Sequence, residues 1–184
     1  MRLTQVSPEV AIAEGKVVQA YRLDISELKK RAVQSPLGRS RICAHKKDDD
    51  PLHEMLIALS RSTYIRPHKH LVKSESFHII EGRLQVVLFG DAGDISEVIQ
   101  MGELSSDLSF YYRLAEPMFH TLIIQSDLVV IHETTNGPFR REDTIFAPWS
   151  PEDKDATNVA RFKDRLADSV AKFPIKVTES TFNT

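Results

Sequence analysis

The sequence predicts a mainly β protein, a sandwich or barrel with a short helix before it and an amphipathic helix after it. Two observations carry this. From His53 to Glu133, short runs of β-type residues recur at close, regular spacing and are separated by turn residues. Later, Val159, Phe162, Leu166 and Val170 step by three and four residues, which puts them on one face of a helix.

The elements follow in order. Val10–Ala13 and Val17–Tyr21 read as short strands parted by Glu14-Gly15. Asp24 or Ser26 can cap a helix over Ile25–Val33, with Leu28 and Ala32 on one face, and Ser35-Pro36-Leu37-Gly38 ends it. Arg41–His45 suits another strand, and Lys46–Pro51 is a charged, solvated turn. Strands are then expected over 54–60, 62–70, 75–81, 83–89, 95–100, 108–114, 119–125 and 128–134. The breaks between them include Gly82, Gly90–Asp94, Gly102, Glu116-Pro117, Ser126-Asp127 and Asn136-Gly137-Pro138.

At 184 residues, one domain with a real core is expected. Its parts would be N-terminal strands and helix over 1–40, a barrel over 41–152, and a helix and tail over 153–184. No segment is apolar enough for a membrane helix, and the first ten residues lack a signal-peptide core, so a cytoplasmic protein is expected. The single cysteine, Cys43, forms no internal disulfide and reads as a small buried hydrophobe. A net charge of −2 with scattered basic residues gives no nucleic-acid footprint. Nucleotide hydrolysis, zincin proteolysis and α/β-hydrolase chemistry lack their motifs.

The chemistry concentrates in His68-Lys69-His70, followed by Glu75 and Gly82. Histidines at i and i+2 on a strand share a face. Glu75 shares parity with the apolar Phe77 and Ile79, which places it at the inner end of the next strand. A buried carboxylate needs compensation, and a cation with two imidazoles supplies it. His120, in step with Leu122 and Ile124, is the candidate fourth ligand. Histidine is common on strand surfaces, so the pair alone is weak. The carboxylate and glycine at these offsets are what turn it into a metal-site expectation.

His68-x-His70-x4-Glu75-x6-Gly82 resembles the first signature of the cupin superfamily, and Pro117-x2-His120 resembles the core of the second. More narrowly, the chain resembles the WbuC-type cupin fold metalloproteins. The matching segments are His53–Ile57, Tyr64–His70, Lys73–Phe77, Gly137–Phe139 and Ala147–Glu152. The second signature lacks its usual glycine between proline and histidine, and Cys43 stands where that pattern has asparagine. The resemblance implies a cupin-type jelly-roll β-barrel in which His68, His70, Glu75 and His120 hold one divalent transition metal (Zn, Fe, Mn or Ni). It also links the chain to O-antigen gene clusters and so to sugar chemistry.

Further residues follow from strand parity. Tyr64 and Arg66 alternate with the two histidines, and that places them beside the metal as the catalytic candidates. Arg113 and Arg41 are the substrate-binding candidates, since an interior arginine suits a carboxylate, phosphate or polyhydroxy ligand. The competing reading pairs each arginine with an internal glutamate such as Glu133. His78 should face away from the metal, His45 and His53 flank the charged turn, and Trp149 should plug the barrel edge. The C-terminal helix packs on the barrel or on a second subunit of a homodimer. The expected function is a metal-dependent isomerase or epimerase on a small sugar-like or carboxylate ligand. An Fe(II)-dependent dioxygenase and a non-catalytic binding module with a structural metal are the alternatives.

Overall fold

The computed structural model of the chain describes residues 1–174, so the tail expected beyond the last helix lies outside the described residues. Its elements are β1 (Leu3–Gln5), β2 (Val10–Ala13), α1 (Arg22–Gln34), β3 (Arg39–Cys43), β4 (Leu52–Ser60), β5 (His68–His70), β6 (Glu75–Glu81) and β7 (Arg83–Phe89). They continue with β8 (Ile95–Gly102), β9 (Tyr111–Leu114), β10 (Phe119–Ile124), β11 (Leu128–Asn136), β12 (Thr144–Phe146) and α2 (Ala156–Lys172). Among the described residues, no helix is long and apolar enough to cross a membrane.

The strands form two sheets, β1-β2-β3-β4-β11-β6-β9 and β12-β5-β10-β7-β8. The pairs β4 with β11, β5 with β10, β6 with β9 and β7 with β8 nest one inside the next, all antiparallel. A long hairpin folded over onto itself gives this pattern, which is the jelly roll expected from the sequence. Between the sheets lies one apolar core that includes Phe77, Ile79, Leu84, Val86, Leu122 and Ile131. These residues alternate with outward-facing ones along each strand, as a two-layer sandwich requires.

Each sheet buries its outer face under a helix. Ile25, Leu28 and Ala32 of α1 cover Ile42, Ala58 and Val130 of the larger sheet. Val170 and Leu166 of α2 cover Val87, Phe89, Val98 and Phe119 of the smaller one. The C-terminal helix therefore packs on its own barrel. Trp149 fills the edge between α2 and the sheet, in contact with Phe89, Phe119 and Phe162, and its indole N–H donates to the Asp91 carbonyl at 3.2 Å.

Several expectations are corrected. Residues 17–21 form no strand, because the chain is already turning into α1, where Tyr21 is the N-cap and Val17 is exposed. Asp24 is not the cap itself. It sits three residues into the helix, and its carboxylate accepts from the Tyr21 N–H at 2.7 Å, the second half of a capping box. The long strand expected over 62–70 is only His68–His70, and β1 and β12 carry no strong sequence signal. Gly82 is the single residue between β6 and β7, where the chain passes from one sheet to the other at φ +85°. A Cβ there would sit 2.4 Å from the Leu128 carbonyl oxygen, so only glycine fits.

Candidate metal centre

Topology brings the site together at one end of the barrel. His68 on β5 is the register partner of His120 on β10, so both imidazoles leave the same face of the smaller sheet. His70 follows two residues on, with the same parity. The chain then crosses to the other sheet through Leu71–Ser74, and Glu75 is the first residue of β6 there. Asn136 fastens this crossover. Its side-chain carbonyl accepts from the Ser74 N–H at 3.0 Å and from the Ser74 hydroxyl at 2.9 Å.

The donor atoms of His68, His70 and His120 all lie within 4.8 Å of one another. Each ring is anchored through Nδ1. That atom lies 2.8 Å from the Arg66 carbonyl in His68, 3.0 Å from the Met118 carbonyl in His120, and 3.1 Å from the Thr144 hydroxyl in His70. A carbonyl can only accept, so His68 and His120 each carry a proton on Nδ1, and Nε2 is the atom each turns towards the cluster. Such back-bonding is how metal-ligating histidines are oriented.

Glu75 meets them from the opposite sheet, with Oε1 2.8 Å from His120 Nε2 and Oε2 3.5 Å from His70 Nε2. Yet Glu75 Oε1 and His120 Nε2, both fully buried, are left without a well-formed hydrogen bond. The group whose ligand atoms draw together is His68, His70 and His120, with the Glu75 carboxylate at its edge, and imidazole nitrogens of this kind suit a cation. The three-histidine cluster fits a metal site.

Electrostatics agrees with this. Burial pushes the His68 imidazole down to about 4, and charge on neighbouring His120 adds to the effect, so His68 is neutral at pH 7. Burial alone would push the Glu75 carboxyl up. The surrounding imidazoles, His120 foremost, outweigh it and hold the group well below the usual carboxylate range. Burial favours neutral His120, and the Glu75 carboxylate overrides that and raises it.

The remaining candidates are placed differently. Tyr64 and Arg66 precede the short β5 in irregular chain, so the parity that set them beside the histidines does not operate. The Tyr64 hydroxyl donates to the Pro151 carbonyl at 3.0 Å and its ring meets Phe162 edge-on. Arg66 Nε donates to the Ser150 hydroxyl at 3.2 Å, and its guanidinium lies over the Phe146 ring. Arg113 points outward and is exposed, because Tyr112 takes the inward position on β9. Arg41 is exposed on β3, in register with Ile57. His78 is exposed, as its parity requires, and His45 stacks on buried His53 with ring centroids 4.0 Å apart.

Three residues that the sequence did not single out as site residues matter here. Thr144 orients His70 from β12. Tyr112 and Glu133 flank Phe77 in one cross-sheet row on the inward face. Tyr112 was legible in its step with Leu114, but Thr144 lies on a strand without a pattern. Burial, reinforced by the charge of Glu75, pushes the Glu133 carboxyl up to about 8.

Residues 21–101 match the family model of a domain of unknown function, DUF6016. No curated protein matches the chain by sequence. Among solved structures, a protein from Shewanella oneidensis is similar at TM-score 0.52 and 10% identity, over 77% of this chain and 90% of that one. L-ribose isomerase from Cellulomonas parahominis is similar at 0.47 and 12%, over 60% and 70%. A cupin domain from Schizosaccharomyces pombe is similar at 0.42 and 11%, over 53% and 64%. The structural neighbours are cupin-fold proteins, and at these identities the likeness is one of fold alone.

Proposed function

We propose that this chain is a metal-dependent enzyme of isomerase or epimerase type that acts on a small, polar, sugar-like molecule. The observation that carries it is the convergence of three back-bonded imidazoles on a carboxylate from the facing sheet, inside a barrel. His68, His70, Glu75 and His120 would hold one divalent transition metal. When bound, such a metal supplies a Lewis acid that polarises a carbonyl or hydroxyl oxygen.

The chain's own residues do the rest. Arg66, Met118 and Thr144 fix the three rings, so that no side-chain reorganisation is needed when the donors are engaged. Tyr64 and Arg66 act as positioning residues. They tie the segment that leads into β5 to Ser150 and Pro151, and so set where His68 and His70 begin. Arg41 stands on the inward face of β3, where it can meet an incoming polar ligand, and outward-facing Arg113 has no part. The WbuC-type signature supports a single cytoplasmic cupin domain, working as a homodimer on intermediates of surface polysaccharide.

Metal analysis of the protein purified without added metal tests this. Zinc, manganese or nickel in near-equal proportion to protein is expected, and iron would instead favour oxygen chemistry. Absence of metal, together with a thermal midpoint unmoved by His68→Ala, would overturn the reading.

A further inference from the structure

A second pair of histidines stands at the mouth of the barrel, apart from the metal centre. Thr135 on β11 is the register partner of Glu75 on one side and of His53 on the other, so His53 lies two strands from Glu75 in the same cross-sheet row. Cys43 on β3 pairs with Met55 on β4, and the ladder runs on through the Ala44 N–H, which donates to the Glu54 carbonyl at 2.9 Å. His45 is thereby set across from His53. The two rings stack with centroids 4.0 Å apart and planes 8° from parallel. His53 is 5% exposed, and its Nε2 is fully buried without a hydrogen-bond partner. A Cβ on Gly137 would sit 2.8 Å from that atom, so the bare Gly137 backbone closes over this edge of the ring.

Gly137 also begins the strap that crosses from β11 to β12. Two carbonyls of the β3–β4 loop hold its start: Pro51 accepts from the Gly137 N–H at 2.9 Å, and Asp48 accepts from the Phe139 N–H at 2.7 Å. At its far end the Asp143 carbonyl accepts from the Leu71 N–H at 2.9 Å, just before Thr144. Between these anchors Phe139–Glu142 are exposed. The stacked pair therefore sits beneath both the loop and the strap that the loop holds.

We propose that the His45–His53 stack is a proton-operated latch: it keeps the Lys46–Pro51 loop, and through it the Gly137–Asp143 strap, fastened across the barrel mouth, and lets both go when the pair takes up protons.

The charged groups around the pair set the direction. A proton on His53 must be buried with no acceptor at Nε2, and a second on His45 brings two like charges within a ring stack. Asp50 favours a charge on the pair, but its carboxylate is already engaged by the Lys46 and Lys47 N–H groups at 2.8 and 3.3 Å. Arg41 on β3 opposes it. Cys43 and Glu133 flank Met55 one row further in, and the Glu54 carboxylate lies on the other face, 3.7 Å from His132. Burial, reinforced by charge on His53, pushes the His45 imidazole down from its ordinary 6.5, against its bond to the Glu54 carbonyl and the pull of Asp50. A base held below its ordinary value stabilises fully above about pH 6.5, and that contribution is lost as pH falls. Acid is therefore the releasing signal.

Amide exchange in the metal-free full chain tests this, read by mass spectrometry between about pH 7.5 and pH 5.5 and corrected for the intrinsic pH dependence of exchange. Protection over 46–51 and 137–143 is expected to fall about tenfold on acidification, the weight of one pKa unit on one ring, while β7 keeps its protection. His45→Phe and His53→Phe each leave a ring in the stack and remove a titratable group, so each should flatten the fall and the double variant should abolish it. The metal-centre histidines are the same in every variant, so their own titration cancels in the comparison. If His53→Phe fails to fold, the half-buried His45→Phe decides alone. The latch is overturned if wild-type protection does not move with pH, if β7 loses protection equally, or if the variants keep the wild-type fall.

Discussion

His120 Nε2 and Glu75 Oε1 approach to 2.8 Å from opposite sheets, both fully buried, without completing a hydrogen bond. With His70 Nε2, 3.5 Å from Glu75 Oε2, the pair joins two layers whose shared core is apolar. In a low-dielectric interior a carboxylate and an imidazole depend on each other, so loss of either strands its partner.

His120→Ala should therefore harm the chain even without metal. It leaves Glu75 buried beside fewer imidazoles, at a cost of about 3–5 kcal/mol by analogy with broken buried pairs. It should also abolish the stabilisation that added metal gives, about 2.7 kcal/mol at a hundredfold excess over Kd. Denaturant unfolding with and without zinc separates the two effects.

Thr144→Val removes only the hydroxyl that holds His70 Nδ1. Metal affinity is expected to fall about 10–100-fold, as for other partners of metal-bound histidines. Competition with a chelator reads this directly, and the metal-free midpoint should hardly change.

Glu133 makes stability depend on pH with a definite sign. Its folded value of about 8 lies above its ordinary 4.5, so the folded state keeps a proton that the unfolded chain releases. The contribution is fully present below about pH 4.5 and is lost as pH rises towards about 8. Glu133→Gln removes this dependence. Its midpoint should gain on the wild type progressively between about pH 5 and pH 8, measured on metal-free protein. A constant difference across that range would contradict the assignment.

Gly82→Ala forces a β-carbon into left-handed backbone against the Leu128 carbonyl. The backbone conformation alone costs about 1–2 kcal/mol. A drop in thermal midpoint is expected, and the close contact makes it larger than at an open glycine such as Gly15.

The site was more legible than its surroundings, and particular residues show why. His68, His70 and Glu75 lie close in sequence, and the parity of Phe77 and Ile79 orients Glu75 without knowledge of any other strand. His120 needed only the same parity argument plus an antiparallel partner. Tyr64 and Arg66 could not be placed by parity, because parity holds only within a strand and β5 is too short to reach them. Arg113 faces outward rather than inward, since a one-residue shift reverses the face and Tyr112 holds the inward position. Thr144 was invisible because β12 exists through its pairing with β5 rather than through its own pattern. The sheet order likewise depends on contacts between strands far apart in the chain, which no local signal encodes.

β5 is attached to its sheet by one register pair with β10, His68 with His120, while its other edge carries the three residues of β12. The two strands thus form a narrow flap whose one ladder rung to β10 is made of two metal-site residues, backed by the Thr121 hydroxyl bonded to the Ile65 carbonyl just before β5. Amide exchange in this flap should be faster than in β7 or β11 in the metal-free chain. A cation that grips His68 and His70 on the flap, and Glu75 across the barrel, would slow it. Local opening and cation release then become the same event, and the lifetime of one measures the lifetime of the other.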